Sequence, residues 1–306
     1  MRENALKEVY VFLRNKNTDI LEQIEGAYKV VMTEDLQELL TAGSCHLAEE
    51  MLTAGKYEKE SPAATENGQP AESTYRGILF ITDCSQTAEA LAVKGVPVLG
   101  ILTEANRHAP FSGVKYLCEG TEPLEPEYLE RVYRRYKKLP WHILETKRCI
   151  VRETTEEDVD AFYRIYAEPS ITAYMENLFD DREKEIQYVK QYRECIYEFY
   201  GFGIWTVLWK ETGEIIGRIG LTVREGYEET ELGFMLGVPW QKKGLAEEVC
   251  SAVLYYGKAA LELESVQALV EPGNEASVKL LHKLGFACER SCTDKGKTYD
   301  WFHKIL

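Results

Sequence analysis

The strongest constraint on the fold is a short apolar segment that passes through a glycine-containing turn into the longest amphipathic helix of the sequence. Residues 231–236 predict a strand, and residues 242–261 predict a helix whose apolar positions recur every three or four residues, at Leu245, Val249, Val253, Tyr256 and Ala260. A helix that starts in this way offers unpaired N–H groups and the positive end of its dipole. Because Gly244 has no side chain to obstruct a ligand, the turn predicts an anion site.

Length and texture together predict two domains. A chain of 306 residues is long for one hydrophobic core, and the character of the sequence changes after Pro140 and Trp141. We therefore expect an N-terminal domain over 1–140 and a C-terminal domain over 147–306. The fold class is α/β followed by α+β.

The N-terminal half predicts a Rossmann-like parallel α/β domain. The clearest pattern is a strand over 77–82, a helix over 85–93 and a strand over 96–102, which is typical of a parallel βαβ unit. The remaining predictions for this half are a helix over 6–13, a strand over 28–32, helices over 35–40 and 45–52, an exposed loop over 57–75, a strand over 115–118 and a helix over 127–138.

The C-terminal half predicts a mixed layer of strands and helices. Its strands are expected over 149–152, 203–209, 215–224, 231–236 and 266–270, with two more at the end of the chain. The segments 203–209 and 215–224 flank a glycine-containing turn and predict a hairpin. Helices are expected over 155–168, 180–199, 242–261 and 275–283.

Composition disfavours several classes of function. The formal charge of −15 disfavours bulk nucleic-acid binding, since such proteins concentrate positive charge, and it suits a cationic acceptor. Eight cysteines without a CxxC pair predict reduced thiols and no structural metal. The start of the chain lacks the apolar stretch of a signal peptide, and no long apolar run follows, so we expect a cytoplasmic protein without a membrane partner. The oligomeric state is left open.

Four motifs in order resemble the GNAT superfamily of N-acetyltransferases over about 149–306. The turn at Gln241-x-x-Gly244-x-Ala246 resembles the family's pyrophosphate signature, and Glu231-Leu232-Gly233-Phe234 resembles its fourth strand. The other two matches are Ile216-Gly217-x-x-Gly220, together with Arg152 and Asp158 before it, and Asn274-Glu275-Ala276-Ser277 followed by Leu284-Gly285-Phe286. The last motif is similar to the branch of ribosomal-protein alanine and serine acetyltransferases.

The resemblance implies acetyl-CoA as co-substrate and a set of residues that bind it. The pyrophosphate would lie against amides around Lys243, Gly244, Leu245 and Ala246 in the turn begun by Gln241, with one more from Val238. Phe234 and Leu236 would pair their backbone with the pantetheine arm, and Asn274 would donate a hydrogen bond to it. The lysines Lys242, Lys243 and Lys279 would meet the remaining phosphates. No metal is implied.

Candidate catalytic and acceptor residues also follow from the resemblance. Glu231 is the expected base, acting through water, and Ser277 the expected helper of the leaving thiolate, because Leu281 stands where many relatives have a tyrosine acid. Both have structural alternatives, a solvated strand-end carboxylate and a small packing residue. The acceptor wall would include Tyr174, Phe202 and Trp205, the aromatics having a core role as their alternative.

The N-terminal half resembles a degenerate haloacid-dehalogenase-type hydrolase. The resemblance lies in Ile81-Thr82-Asp83-Cys84-Ser85, where an Asp at a strand end would help to hold Mg²⁺ in such enzymes, but the early Asp-x-Asp-x-Thr loop is missing.

The function expected overall is acetyl transfer from acetyl-CoA to a primary amine, of a protein N-terminus or a small molecule, by direct attack in a ternary complex. Two alternatives stay open: a catalytically weak acyl-CoA-binding sensor, and an N-terminal Mg²⁺-dependent phosphohydrolase that uses Asp83. The identity of the acceptor and the role of the N-terminal domain are not readable from the sequence.

Overall fold

A computed structural model describes residues 5–13, 24, 27–32, 77–120 and 124–306, with the backbone alone at 12 and 29–32. The chain divides into two compact units, Met1–Leu139 and Pro140–Leu306. The predicted helices at 35–40 and 45–52 and the predicted loop at 57–75 lie outside the described residues.

The first unit contains a five-stranded parallel sheet in the order β2-β1-β3-β4-β5. Its strands are β1 (Glu8–Phe12), β2 (Lys29–Met32), β3 (Ile78–Thr82), β4 (Val98–Leu102) and β5 (Tyr116–Glu119), and its described helices are α1 (Ser85–Val93) and α2 (Pro126–Tyr136). The segment β3-α1-β4 is the predicted parallel βαβ unit. Buried side chains of α1 and α2 pack in separate apolar clusters.

The predicted helix over 6–13 is wrong, because this segment contains strand β1. The strand lies between β2 and β3 and pairs with both. Val9, Tyr10 and Val11 are all buried although they alternate between the two faces of the sheet. An interior parallel strand is apolar on both faces, and over so few residues such a run cannot be told from a helix by its periodicity.

The second unit is built on an eight-stranded sheet in the order β12-β13-β11-β10-β9-β8-β7-β6. The strands are β6 (His142–Glu145), β7 (Cys149–Arg152), β8 (Ile204–Trp209), β9 (Ile215–Val223), β10 (Thr230–Leu236), β11 (Ser265–Val270), β12 (Ala287–Asp294) and β13 (Lys297–Ile305). All neighbours are antiparallel except β10 and β11, which are parallel. Because β6 pairs with β7, this sheet begins before residue 147.

Six α-helices belong to the described second unit. They are α3 (Val159–Tyr166), α4 (Pro169–Thr172), α5 (Arg182–Tyr192), α6 (Glu198–Tyr200), α7 (Leu245–Ala260) and α8 (Glu275–Lys283), with 3₁₀ turns at Glu156–Asp158 and Val238–Trp240. A capping box between Thr155 and Asp158 starts the first 3₁₀ turn, which leads into α3.

The predicted helix over 180–199 is interrupted. A π-helical segment, Arg193–Tyr197, separates α5 from α6. Tyr197 at its end is buried, and its hydroxyl donates to the carbonyl of Ile204 at 2.5 Å and accepts from the amide of Thr154 at 3.2 Å. The wider π-helical turn therefore directs the Tyr197 side chain toward the sheet. These tertiary contacts cannot be predicted from the periodicity of apolar residues.

The core of the second unit lies between the sheet and α7. Leu245, Val249 and Val253 on the helix pack against strand residues that include Leu221 and Leu232. This packing holds the start of α7 beside the carboxyl end of β10. Among the described residues, no helix is both long and apolar enough to cross a membrane.

Candidate active site

The central strands β10 and β11 meet at a single point in the described structure. Strand β10 pairs with β9 along its whole length, from Thr230 to Leu236, but its register with β11 consists of one pair, Glu231 with Gln267. Since this pair lies near the amino ends of two parallel strands, the strands part toward their carboxyl ends. The β11-facing edge of β10 at Phe234 and Leu236, predicted to bind the pantetheine arm, therefore has no β11 partner in this register.

The turn after β10 leaves the first turn of α7 open. Lys242 and Gly244 both adopt the left-handed region, with φ of 57° and 75°, and Gly244 is the N-cap without a side-chain hydrogen bond. The amide of Glu248 makes the first bond of the helix, to the Gly244 carbonyl at 3.1 Å. Earlier amides of the first turn have no carbonyl to reach within the helix, so they can bind an anion.

Gln241 fixes this turn to the strand. Its side-chain amide donates to the carbonyl of Leu236 at 2.9 Å. The amide of Gly237 donates in turn to the carbonyl of Ile216 on β9 at 2.9 Å. These bonds give the Gln241 side chain a role in holding the turn, whereas direct contact of Gln241 or Val238 with a cofactor stays a prediction.

Arg148, which the sequence analysis did not single out, braces the same turn. Its Nη1 donates to the carbonyl of Lys243 at 3.0 Å, and its Nε donates to Glu248 Oε2 at 2.7 Å. Burial alone would raise the pKa of Glu248, but hydrogen bonds from Thr146 and Arg148 outweigh it, and the pKa is lowered. Arg148 and Glu248 are separated by 100 positions, so no local spacing rule could have paired them.

The lysines near the turn differ in their surroundings. Lys242 and Lys243 are exposed, and Lys243 Nζ lies 5.1 Å from the centre of the Trp240 ring. Lys279 on α8 instead forms an exposed pair with Glu275 at 2.9 Å. A phosphate contact for Lys279 would require that pair to open.

Glu231 lies at the point where β10 and β11 meet. Its side chain is 14% exposed, and its carboxylate accepts from Arg224 Nη1 at 2.8 Å and 3.2 Å. Burial raises the pKa of Glu231, the ion pair with Arg224 opposes this effect, and nearby Asp294 adds to it. A largely buried carboxylate with a raised pKa has the properties of a general base.

The start of α8 is capped by Asn274 and contacted by Tyr174. Asn274 is the N-cap, and its Oδ1 accepts from the amide of Ser277 at 3.2 Å. The hydroxyl of Tyr174 donates to the carbonyl of Gly273 at 3.0 Å. Asn274 thus has a capping role, and Tyr174, which is 41% exposed, lies at this rim of the site.

Comparison with known proteins defines the family. Residues 148–287 match the model of the acetyltransferase (GNAT) domain. The uncharacterized N-acetyltransferase YoaA of Bacillus subtilis (strain 168) is 33% identical over 150 residues, which cover 48% of this chain and 84% of that protein. The chain belongs to the GNAT acetyltransferase family. The enzyme is therefore an acyl-CoA-dependent N-acyltransferase.

Two further similarities concern enzymes that act on a ribosomal protein. The [ribosomal protein uS5]-alanine N-acetyltransferase of Escherichia coli (strain K12) is 34% identical over 83 residues, 26% of this chain and 43% of that protein. The solved structure of a ribosomal-protein-S5-alanine acetyltransferase from Vibrio fischeri matches with a TM-score of 0.46 and 19% identity, covering 53% of this chain and 95% of that chain.

This GNAT domain has no tyrosine acid at the position of Leu281. The side chain of Leu281 is fully buried in the core with Leu284 and Phe286. Ser277, one turn earlier on α8, is half-buried. Its help to the leaving thiolate stays a prediction.

One predicted acceptor contact is wrong in this GNAT domain. Trp205 is fully buried, and its ring packs edge-on against Tyr256 of α7 at 5.7 Å. The ring therefore belongs to the core under the helix, where an acceptor cannot reach it. Phe202 is half-buried against the same core, with its ring 6.0 Å from that of Tyr200. Acceptor contact by Phe202 and Tyr174 stays a prediction.

Outside the GNAT domain, Asp83 follows β3 at the carboxyl end of the parallel sheet. It is 7% exposed, and its carbonyl accepts from Asn106 Nδ2 at 2.7 Å. No group of three or more His, Cys, Asp or Glu residues that could hold a metal occurs in the part of the chain that the structure describes. The resemblance of the first unit to haloacid-dehalogenase-type hydrolases stays a prediction.

Proposed function

We propose that the unit Pro140–Leu306 transfers an acetyl group from acetyl-CoA to a primary amine, of a peptide N-terminus or a small molecule, by direct attack in a ternary complex. The parting of β10 and β11 beside the open start of α7 is the observation that carries this proposal. The opening between the strands would let the extended pantetheine chain of acetyl-CoA bring its thioester toward Glu231. The start of α7 would bind the pyrophosphate at the other end of the cosubstrate.

The residues of the site fit coenzyme A. Amides around Lys243, Gly244, Leu245 and Ala246 would bind the pyrophosphate, because the left-handed turn and the missing cap leave them available. The edge of β10 at Phe234 and Leu236 would bind the pantetheine amides as an added strand would. Lys242 and Lys243, both exposed, would meet further phosphate oxygens.

The reaction needs a neutral amine, a proton acceptor and a good leaving group. The amine lone pair attacks the thioester carbonyl carbon, the carbon–sulfur bond breaks, and the amide and the thiolate of CoA are the products. Glu231 would take the amine proton through water, and Ser277 would donate a hydrogen bond to the departing sulfur. The Glu231 side chain is 14% exposed, so its carboxylate is poorly hydrated, and this favours proton uptake.

The acceptor is proposed to be cationic before it loses its proton. The similar Escherichia coli enzyme is named for an alanine of ribosomal protein uS5, which is a protein acceptor. The charge of −15 on this chain would attract a basic peptide or a polyamine. For the first unit we propose a role in acceptor presentation or regulation.

The test measures thiol release from acetyl-CoA with a panel of peptides and small amines. We expect turnover with at least one amine, and a fall in kcat/KM of roughly a hundredfold in Glu231→Gln with CoA affinity unchanged. Binding of CoA without turnover on any amine would favour a sensor instead. Mg²⁺-dependent cleavage of a phosphate ester that Asp83→Asn abolishes would favour a hydrolase in the first unit.

A further inference from the structure

Arg224 joins two carboxylates that come from distant parts of the second unit. It directly follows β9, and its Nη1 donates to Glu231 on β10 at 2.8 Å. Its Nη2 and Nε both donate to Oδ2 of Asp294, at 2.5 Å and 3.0 Å. The two ends of one planar guanidinium therefore fix two acidic side chains relative to each other.

Asp294 is at the tip of the last hairpin. It ends β12, and the turn through Lys295 and Gly296, with φ of 47° and 81°, leads into β13. On the other side of the tip, Lys297 Nζ donates to Glu271 Oε1 at 3.0 Å, just after β11. The hairpin tip is thus held at two points, and one of these points is the guanidinium that also holds Glu231.

The Arg224 guanidinium is shielded from water by aromatic rings. Its Cζ lies 5.8 Å from the centre of the Tyr227 ring and 5.5 Å from that of Tyr299. The side chains of Arg224, Glu231 and Asp294 are 27%, 14% and 15% exposed. Charges this close and this poorly hydrated influence each other strongly.

Among the residues that the structure describes, few other charges act on Glu231 from the surrounding elements. The neighbour of Glu231 on β11 is the neutral Gln267, and beyond it His303 of β13 lies 3.0 Å from Glu229. From the hairpin, Cys292 lies 3.6 Å from the Tyr227 hydroxyl. Arg224 is therefore the cation in direct contact with Glu231, and Asp294 competes for it.

We propose that Arg224 is a positioning residue for acetyl transfer: it holds the Glu231 carboxylate at the meeting point of β10 and β11, and through Asp294 it holds the β12–β13 hairpin against the same site. The proposal rests on the proposed function in taking Glu231 as the base. Two carboxylates share one guanidinium, so the loss of either partner of Arg224 changes the charge felt by the other.

The arrangement predicts shifts of opposite sign. Without Arg224, burial and Asp294 both act unopposed on Glu231, and its pKa rises further. Without the charge of Asp294, repulsion is removed and Arg224 is left to Glu231 alone, so the pKa of Glu231 falls. A residue outside this charged cluster would produce neither shift, and a cluster without a role in acetyl transfer would leave the pH dependence of kcat/KM unchanged.

The experiment titrates the Glu231 carboxyl carbon by NMR in the full-length protein, with the resonance assigned by its loss in Glu231→Gln. Compared with the parent, we expect Arg224→Gln to raise the pKa by about one unit, Asp294→Asn to lower it, and Arg224→Lys to stay near the parent value. Arg182→Gln is the matched control, since Arg182 also pairs with two carboxylates, Asp160 and Glu183, but is 51% exposed. This change should leave Glu231 unaffected.

Activity supplies the second measurement. The acidic limb of the kcat/KM profile against pH should move with the Glu231 pKa in each variant. Shifts in the same direction for Arg224→Gln and Asp294→Asn, or no shift in either, would overturn the proposal. A parent that transfers acetyl to no amine would instead overturn the proposed function, and the NMR titration would still decide whether the three charged groups are coupled.

Discussion

Helices α7 and α8 begin in opposite ways, although both border the same site. The N-cap of α8, Asn274, uses its own side chain to bind the amide of Ser277. The N-cap of α7, Gly244, has no side chain and lies in the left-handed region. One helix start is satisfied from within, and the other is left for a ligand to satisfy.

The acidic residues of the first turns extend this comparison. Glu247 and Glu248 on α7 would repel a bound phosphate, but Glu247 pairs with Lys283 at 3.2 Å and Glu248 with Arg148 at 2.7 Å. On α8, Glu275 pairs with an exposed lysine of its own helix, Lys279. Two cations from outside α7 thus offset acidic charge at the helix start where an anion is expected.

The largest effect is expected from filling the open helix start. In Gly244→Trp, the side chain occupies the space of the pyrophosphate, and CoA affinity should fall by about a hundredfold or more, or about 2.7 kcal/mol. Calorimetric titration with CoA measures this. Gly213→Trp is the matched control, because Gly213 has the same φ of 75° with no atom near its Cβ position. Equal CoA affinity in Gly244→Trp and the parent would show that the start of α7 does not bind the cosubstrate and so does not differ from α8 in this way.

A smaller effect is expected from removing the brace of the turn. Arg148→Gln leaves Glu248 unneutralised and the Lys243 carbonyl free to turn, so CoA affinity should fall about tenfold. In Arg107→Gln, which removes a highly exposed pair with Glu119 from the first unit, CoA affinity should be unchanged. If both variants bind CoA as the parent does, Arg148 does not prepare the site.

The same brace has a pH dependence of known sign. The pKa of Glu248 is lower in the folded protein than in the unfolded chain, where it is about 4.3. The stability gained from it is therefore complete at neutral pH and is lost as the pH falls through the lowered folded-state value. Thermal unfolding of the parent and Arg148→Gln should differ at pH 7 and converge under acid.

The smallest effect is expected at the satisfied helix start. Asn274→Ala removes the cap of α8 and should cost about 1 kcal/mol of unfolding free energy, measured by urea denaturation. Asn274→Asp keeps an oxygen acceptor for the Ser277 amide but loses the amide donor. Asn274→Asp should keep the stability of the parent, and a fall in its CoA affinity would show that Asn274 also binds the pantetheine arm.

Elements with long local patterns could be predicted from the sequence. The hairpin of β8 and β9, strand β10 and helices α7 and α8 lie within a few residues of the predicted bounds, since glycine-containing turns and apolar periodicity mark them. Strand β1 was missed because an interior parallel strand carries no alternation. The π-helical segment before Tyr197 was missed because a tertiary contact causes it.

The candidate site was predictable only where it is continuous in sequence. The turn from Leu236 to Ala246 is one segment, so its glycine and its helix period could be read together. Arg148 and Arg224 act on residues that lie elsewhere, and Asp294 follows Arg224 by 70 positions. Trp205 was misplaced because an aromatic at a helix-to-strand junction gives no sign of the face it occupies.

The single register pair of Glu231 and Gln267 is where the two halves of the large sheet, β6–β10 and β11–β13, are joined. Beyond this pair, the edge of β10 at Phe234 and Leu236 has no β11 partner in the register, at the centre of a sheet where neighbouring strands normally satisfy one another. A pantetheine chain bound between β10 and β11 would make hydrogen bonds that a neighbouring strand would otherwise make. The proposed proton acceptor, Glu231, lies where the two halves of the sheet are paired. The cosubstrate would lie where β10 and β11 are separated.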